Sequence, residues 1–289
     1  MSRALKGHDP KTITPSKPKV LIFGAPGVGK TWTSLEFPSV YYIDTEGGAD
    51  LAHYAAKLKA SGAAYMGPDD GANDFKSVIE EVQTLATTDH PYKTLVIDSF
   101  SKLFNTQIAL TAEAMEKARL EDAFGASKKP AVGLTRRLIA WLDKLDMNVI
   151  LICHERVQWS GGKEVGITFD GYDKLMYELH LAMHITKTGG TRKAKVVKSR
   201  LEAFPDAESF DWSYAAFADR YGKSVMEAAA KKVEMANEAQ VKEYESLLEA
   251  VKVPAEAIEK WNAACPDVKE LESSMMVKRI AYLRSLLPK

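Results

Sequence analysis

Cysteine is scarce. The 289 residues hold two, Cys153 and Cys265, far apart and without the close spacing of metal ligands. That argues against a disulfide scaffold or a zinc site and fits a reducing compartment. Long hydrophobic runs are missing as well. No apolar stretch reaches the ~18 residues that a membrane span needs. The start, MSRALKGHDPKTITPSKPK, lacks the apolar run of a secretory signal. The expectation is a soluble cytoplasmic protein without a membrane partner. Net charge is absent too: 39 Lys and Arg face 39 Asp and Glu. This excludes a histone-like polycation but says nothing of local patches. Residues 201–289 carry 12 basic and 16 acidic side chains, so the first 200 hold the opposite excess.

What is present is enough apolar residue, 46% of the chain, to bury a core. Residues 1–18 are basic, contain Pro, Ser and Thr without periodicity, and are expected to form a flexible arm. Short continuous apolar runs follow: VLIFG (20–24), VYYID (40–44), TLVIDSF (94–100) and NVILICHE (148–155). Between them, residues 30–36 can start a helix, and 74–88 and 134–146 have helical spacing. Buried strands alternating with amphipathic helices predict an α/β fold, a mostly parallel central sheet flanked by helices. Residues 156–174 are rich in Gly, Lys and Asp and read as a loop, and 177–188 with 194–200 as a hairpin around Gly189-Gly190. The expected division is an arm (1–18), a core (19–215) and a helical C-terminal module (216–289). In that module Leu247, Leu248, Val251, Ile258, Trp261, Met275, Met276, Ile280, Leu283 and Leu286 recur at near-helical spacing.

The segment Gly24-Ala25-Pro26-Gly27-Val28-Gly29-Lys30-Thr31 fits G-x-x-x-x-G-K-[ST], after a strand and before a helix. Glycines let backbone N–H groups turn inward around phosphates. Lys30 is placed to reach the β- and γ-phosphates and the Thr31 hydroxyl to ligate Mg²⁺. Asp98 ends the apolar strand LVID, where a second ligand for Mg²⁺ belongs. ATP with Mg²⁺ is the expected ligand, and no N-K-x-D guanine-reading motif follows. Glu46, after the second strand, is a carboxylate able to polarise water.

The succession of phosphate loop, IDTEGGADL, LVIDSFSKL, ILICHERVQ and VVKSRLEAFPDAESF resembles the core of the RecA recombinase family over about residues 19–213. It is most similar to the phage-encoded RecA-like ATPases proposed as single-strand annealing proteins. The resemblance implies a RecA-like core, DNA-dependent ATP hydrolysis, single-stranded DNA as partner, and self-association as ring or filament. A phage protein of this kind acts in recombination or replication, in the cytoplasm of a bacterial host. Glu46 matches the glutamate that activates water and Asp98 the Mg²⁺-coordinating acid. His154, with Glu155, falls at the γ-phosphate sensor, where RecA keeps an amide. Lys198 and Arg200 match the basic pair that reaches the ATP of a neighbouring subunit. Residues i and i+2 of a strand share one face, and two cations there repel unless an anion lies between them. A solvated, lysine-guarded hairpin edge is the alternative.

The resemblance also implies two DNA-contacting loops, 114–133 with Lys128 and Lys129, and 156–174 with Arg156, Trp159 and Lys163. Cations neutralise phosphates, and an aromatic ring stacks on a base. The C-terminal module is a candidate dock for single-strand binding protein. Two other readings stay open: an AAA-type helicase-loading ATPase, and an ATP-binding scaffold with little turnover.

Overall fold

The computed structural model describes residues 16–48, 52–265 and 267–287. Residues 1–15, most of the expected arm, lie outside these. Its last residues are packed rather than free: Lys17 is buried and donates to the Ala228 carbonyl, and Tyr221 donates to the Ser16 carbonyl.

Five strands form the parallel centre: β1 (Lys19–Gly24), β2 (Val40–Asp44), β3 (Ala64–Met66), β4 (Thr94–Asp98) and β5 (Asn148–Ser160). A sixth, β7 (Leu181–Thr188), also runs parallel to β1. The order is β3-β2-β4-β5-β1-β7-β8-β9, where β8 (Thr191–Ser199) and β9 (Ser209–Asp211) are antiparallel additions. Off this path, β6 (Lys163–Phe169) pairs with the far half of β5. The predicted α/β fold with a mostly parallel sheet is therefore found.

Alternation inside the apolar runs separates the two faces of the sheet. Leu21, Phe23, Ile43, Leu95, Ile97, Val149, Leu151 and Cys153 share one cluster with α3 (Phe75–Thr87), α4 (Phe100–Lys117) and α5 (Lys128–Lys144). Val20, Ile22, Val40, Tyr42, Val96, Ile150 and Ile152 face the other way. There they meet Val28 and Leu35, which flank α1 (Lys30–Ser34), and residues from α2 (Ala52–Ser61), α7 (Tyr214–Tyr221) and α8 (Lys223–Glu227). Phe217, Ala218 and Met226 belong to this core, so its packing runs on to Met226 rather than ending at 215.

Two expected loops are regular structure. Half of 114–133 is α-helix, the end of α4 and the start of α5, and a single 3-10 turn at Ala123–Gly125 lies between them. Pro130 is accommodated because it falls in the first turn of α5, where its missing N–H costs no bond. Residues 156–169 are a hairpin, the far half of β5 with β6, and a short α6 (Leu175–Glu178) follows. Gly161 and Gly162, with φ of 58° and 77°, supply the turn.

After α8 the chain runs extended past the ends of α3 and α5, with Val233 N–H donating to Ala86 O and Lys231 N–H to Asp146. Helices α9 (Glu238–Ala250), α10 (Ala255–Ala264) and α11 (Ser273–Arg284) then form a separate small core. Val251, Met276, Ile280 and Leu283 are buried as expected, with Leu247, Leu248, Trp261 and Leu286 packed against them. Ile258 and Met275 are instead exposed, and Tyr244 and Leu271 take their place inside. An Arg137–Glu270 ion pair of 2.5 Å ties this module to α5. Among the described residues, no helix is long and apolar enough to cross a membrane.

Candidate functional site

The C-terminal ends of β1, β2, β4 and β5 converge on one place because these strands are parallel and adjacent. β5 lies between β1 and β4, with Gly24 opposite His154 and Ile152 opposite Asp98. The loop from Gly24 to Gly29 leaves β1 and enters α1. Two of its glycines are crowded, one by backbone and one by a side chain. A Cβ on Gly24 would lie 2.2 Å from the Ile185 carbonyl oxygen of β7. Gly29 has φ of 91°, and a Cβ there would lie 2.1 Å from Nε of Arg192.

Lys30 bends back over this loop and donates to Gly24 O (2.6 Å) and Ala25 O (2.9 Å). Burial holds its ammonium below the ordinary lysine range, an effect opposed by the charges of Asp98, Glu155 and Glu46. The Thr31 hydroxyl donates to Asp98 Oδ2 at 2.5 Å, and the Tyr42 hydroxyl donates to the same oxygen at 3.0 Å. Burial pushes the Asp98 carboxyl up to about 6. The two hydroxyl donors pull it down, and Glu46 and Asp44 push the same way as burial. A hydroxyl and a carboxylate held together make a hard oxygen donor set that fits Mg²⁺.

The turn after β2 is built by Asp44, whose Oδ1 accepts from the N–H groups of Glu46 (3.0 Å) and Gly47 (2.9 Å). This directs the Glu46 side chain across β4 to β5. Its Oε1 lies 2.7 Å from His154 Nε2 and accepts from the Ser99 hydroxyl. Ser99 Oγ is itself 3.3 Å from His154 Nε2, so the three side chains close a ring. The His154 N–H donates to Ser101 Oγ at 2.9 Å, which fixes the strand end. Glu155 turns instead toward His184 of β7, at 3.2 Å.

The structure thus brings together Lys30, Thr31, Glu46, Asp98 and His154. It does not bring Lys198 and Arg200 to the same phosphate loop. Because β7 is parallel to β1 and β8 returns antiparallel, Ala182 faces Lys198, and Arg200 N–H donates to His180 O. Both cations therefore stand near the start of β1, roughly 15 Å of strand from the loop. Their side chains donate to the Leu179 and Tyr177 carbonyls. The same topology carries Arg192, early in β8, onto the phosphate loop.

Of the expected DNA contacts, Lys128 and Lys129 are exposed on the first turn of α5. Trp159 and Lys163 are exposed near the tip of the β5–β6 hairpin, where the Trp159 side chain is 65% exposed. Arg156 is engaged at the hairpin base, donating to Phe169 O (3.0 Å) and Asp173 (2.6 Å). Sequence reasoning missed Ser99, Tyr42 and Arg192. Ser99 adjoins Asp98 in the chain, but its use depends on the path of Glu46. Arg192 was one of six Lys and Arg in 183–200, and only the strand register distinguishes it.

A strand, a glycine loop, a lysine and a threonine over a strand-end aspartate define a P-loop nucleotide-binding protein. The model of the AAA_24 family, described as an AAA domain, matches residues 16–200, and the chain belongs to this family. Among solved structures, the crystal structure of the RadB recombinase is similar at a TM-score of 0.42 and 15% sequence identity, covering 68% of this chain and 87% of that one. No curated protein matches the sequence.

Proposed function

We propose that this protein is a DNA-dependent ATPase of RecA type that binds single-stranded DNA and promotes annealing or pairing of strands. The observation that carries it is the ring of Glu46, Ser99 and His154 beside the Thr31–Asp98 contact. It supplies a water-activating carboxylate next to a phosphate loop, which a protein that only held nucleotide would not require.

Hydrolysis joins a water oxygen to the γ-phosphorus, breaks its bond to the β–γ bridging oxygen, and releases ADP and phosphate. Glu46 takes the proton from the water. His154 and Ser99 hold that carboxylate in one orientation, and proximity of this kind lowers the entropic part of the barrier. Lys30 exchanges its two carbonyl partners for phosphate oxygens. Mg²⁺, held by Thr31 and Asp98, would supply neutralisation of the phosphate charge.

His154 and Trp159 lie on the same strand, β5, one in the catalytic ring and the other exposed near the hairpin tip. A strand of DNA stacked on Trp159 and neutralised by Lys163 would bear directly on the residue that orients Glu46. Lys128 and Lys129 form a second basic point on α5. In a head-to-tail assembly, Lys198 and Arg200 would serve the nucleotide of the next subunit, since within one chain they stand away from the loop.

The test is binding of a fluorescent oligonucleotide, followed by anisotropy, with and without ATP. Wild type should bind single strands at low salt and lose affinity as salt rises. Trp159→Ala should bind about tenfold more weakly, in line with the ~1–3 kcal/mol of one stacked base. Absence of single-strand binding at low salt would remove this reading.

A further inference from the structure

We propose that Arg192 is a nucleotide-phosphate ligand acting within its own chain, a second cation of the phosphate site beside Lys30. This rests on the nucleotide-binding reading above and adds a residue and a strand to it.

The placement follows from topology. Arg192 is the second residue of β8, and β8 returns antiparallel to β7, which itself runs parallel to β1. The tip of this hairpin therefore overhangs the point where β1 gives way to the glycine loop. The backbone there is held on both sides. Arg192 pairs with Lys187 of β7, and its carbonyl accepts from Trp212 N–H at 2.9 Å. The side chain lies against the loop, with Nε, Cδ and Cζ all within 2.9 Å of the position a Gly29 Cβ would occupy. Together with Lys30, Thr31, Trp32 and Tyr54 it lines a single cavity over that loop.

This group has no carboxylate partner among the described residues. Its Nε is excluded from solvent and has no hydrogen-bond partner, and among the described residues Arg192 forms no ion pair. Neighbouring cations of the same hairpin are spent differently, as with Lys193, which pairs with Asp211 at 2.7 Å. A guanidinium stays ionised at any physiological pH, and here the half-buried group keeps its Nε dry without a partner, at the cost of one unmade hydrogen bond. The cost is offset when an anion enters the cavity. A polyphosphate is that anion, and a planar guanidinium grips its oxygens two at a time. Gly29 matters for the same reason, because any side chain there would occupy the space of the arginine. The positive charge that assists departure of the β-phosphate is then supplied in cis, from a strand.

The experiment uses the full chain and follows displacement of a fluorescent ADP analogue by ATP and by inorganic tripolyphosphate. Wild type, Arg192→Ala, Arg192→Lys and Lys30→Ala are compared, with thermal unfolding recorded without ligand. Arg192→Ala should weaken ATP and tripolyphosphate alike by at least tenfold, and Arg192→Lys should recover only part of that. The unliganded Tm should hold, because the side chain of Arg192 forms no ion pair among the described residues and its buried Nε no hydrogen bond. If Arg192→Ala fails to fold, Arg192→Lys decides the matter by the same displacement. A loss under twofold for both competitors overturns the proposal, and the nucleotide reading still stands provided wild type binds and Lys30→Ala does not. A loss for ATP but none for tripolyphosphate also overturns it, since the contact would then be to the nucleoside. If wild type binds neither competitor, both readings fall.

Discussion

Two glycines of the phosphate loop separate backbone packing from ligand binding. In Gly24→Ala the new methyl meets the Ile185 carbonyl oxygen at 2.2 Å, and that carbonyl belongs to β7, paired along β1. It cannot rotate aside, so β1 and β7 must part. Over-packing of this kind costs about 1–3 kcal/mol. The unusual backbone angle, φ 157°, adds to it. The expected loss is about 3 kcal/mol, a large share of the roughly 5–15 kcal/mol that holds a domain folded. In Gly29→Ala the obstacle, at 2.1 Å, is the side chain of Arg192, which can swing into solvent. What remains is the left-handed φ of 91°, a penalty of about 1–2 kcal/mol. Urea denaturation followed by far-ultraviolet circular dichroism measures both. Gly24→Ala should unfold well before Gly29→Ala, yet Gly29→Ala should lose nucleotide affinity as badly as Arg192→Ala. The double variant Gly29→Ala/Arg192→Ala should bind no more weakly than either single one. Equal stabilities for the two glycine variants, or additive binding losses, would refute the steric argument.

Other outcomes follow from the same structure. Lys19 is buried in β1, where its ammonium donates to the Leu145 carbonyl and, at 2.9 Å, to Met147 O, and burial lowers its pKa to about 7. The unfolded chain binds the extra proton between that value and the ordinary lysine range, so unfolding free energy should rise with pH from about 7 to 9.5. The slope should be at most ~1.4 kcal/mol per pH unit. Denaturation of Lys19→Met across that range should show the slope reduced. Because His154 orients Glu46 without being required for nucleotide capture, His154→Ala should lower kcat by about tenfold or more while ATP affinity holds within twofold. Steady-state rates and equilibrium binding separate the two. Removing the Arg137–Glu270 pair by Arg137→Ala should cost under 1 kcal/mol, since the arginine is half exposed. Urea denaturation checks this, and the C-terminal module should stay docked.

The sequence carried the parallel centre of the sheet because four of its strands are buried on both faces and read as unbroken apolar runs. It also carried the grouping of Lys30, Thr31, Asp98 and Glu46, because these sit at strand ends or in a motif with fixed spacing. The β5–β6 hairpin was hidden by its own composition. Its apolar residues Val157, Trp159, Val165 and Ile167 are exposed, so their alternation sits among glycines and charges as in a loop. Helix α4 was hidden for a related reason: its fully buried residues are confined to Phe100–Phe104, and beyond them only Ile108 adds a partly buried apolar contact with the core. Position along β8 could not be read at all. Lys198 and Arg192 are both strand cations, and only the pairing of β7 with β1 sends one to the foot of the sheet and the other onto the phosphate loop.

Under the proposed function, this site hydrolyses ATP under the control of single-stranded DNA. Phosphate release should therefore be measured with and without a single-stranded oligonucleotide for wild type, Lys30→Ala and Glu46→Gln. DNA should accelerate turnover in wild type, both variants should lose nearly all of it, and Glu46→Gln should retain ATP binding. Turnover indifferent to DNA, or a Glu46→Gln protein as active as wild type, would contradict it.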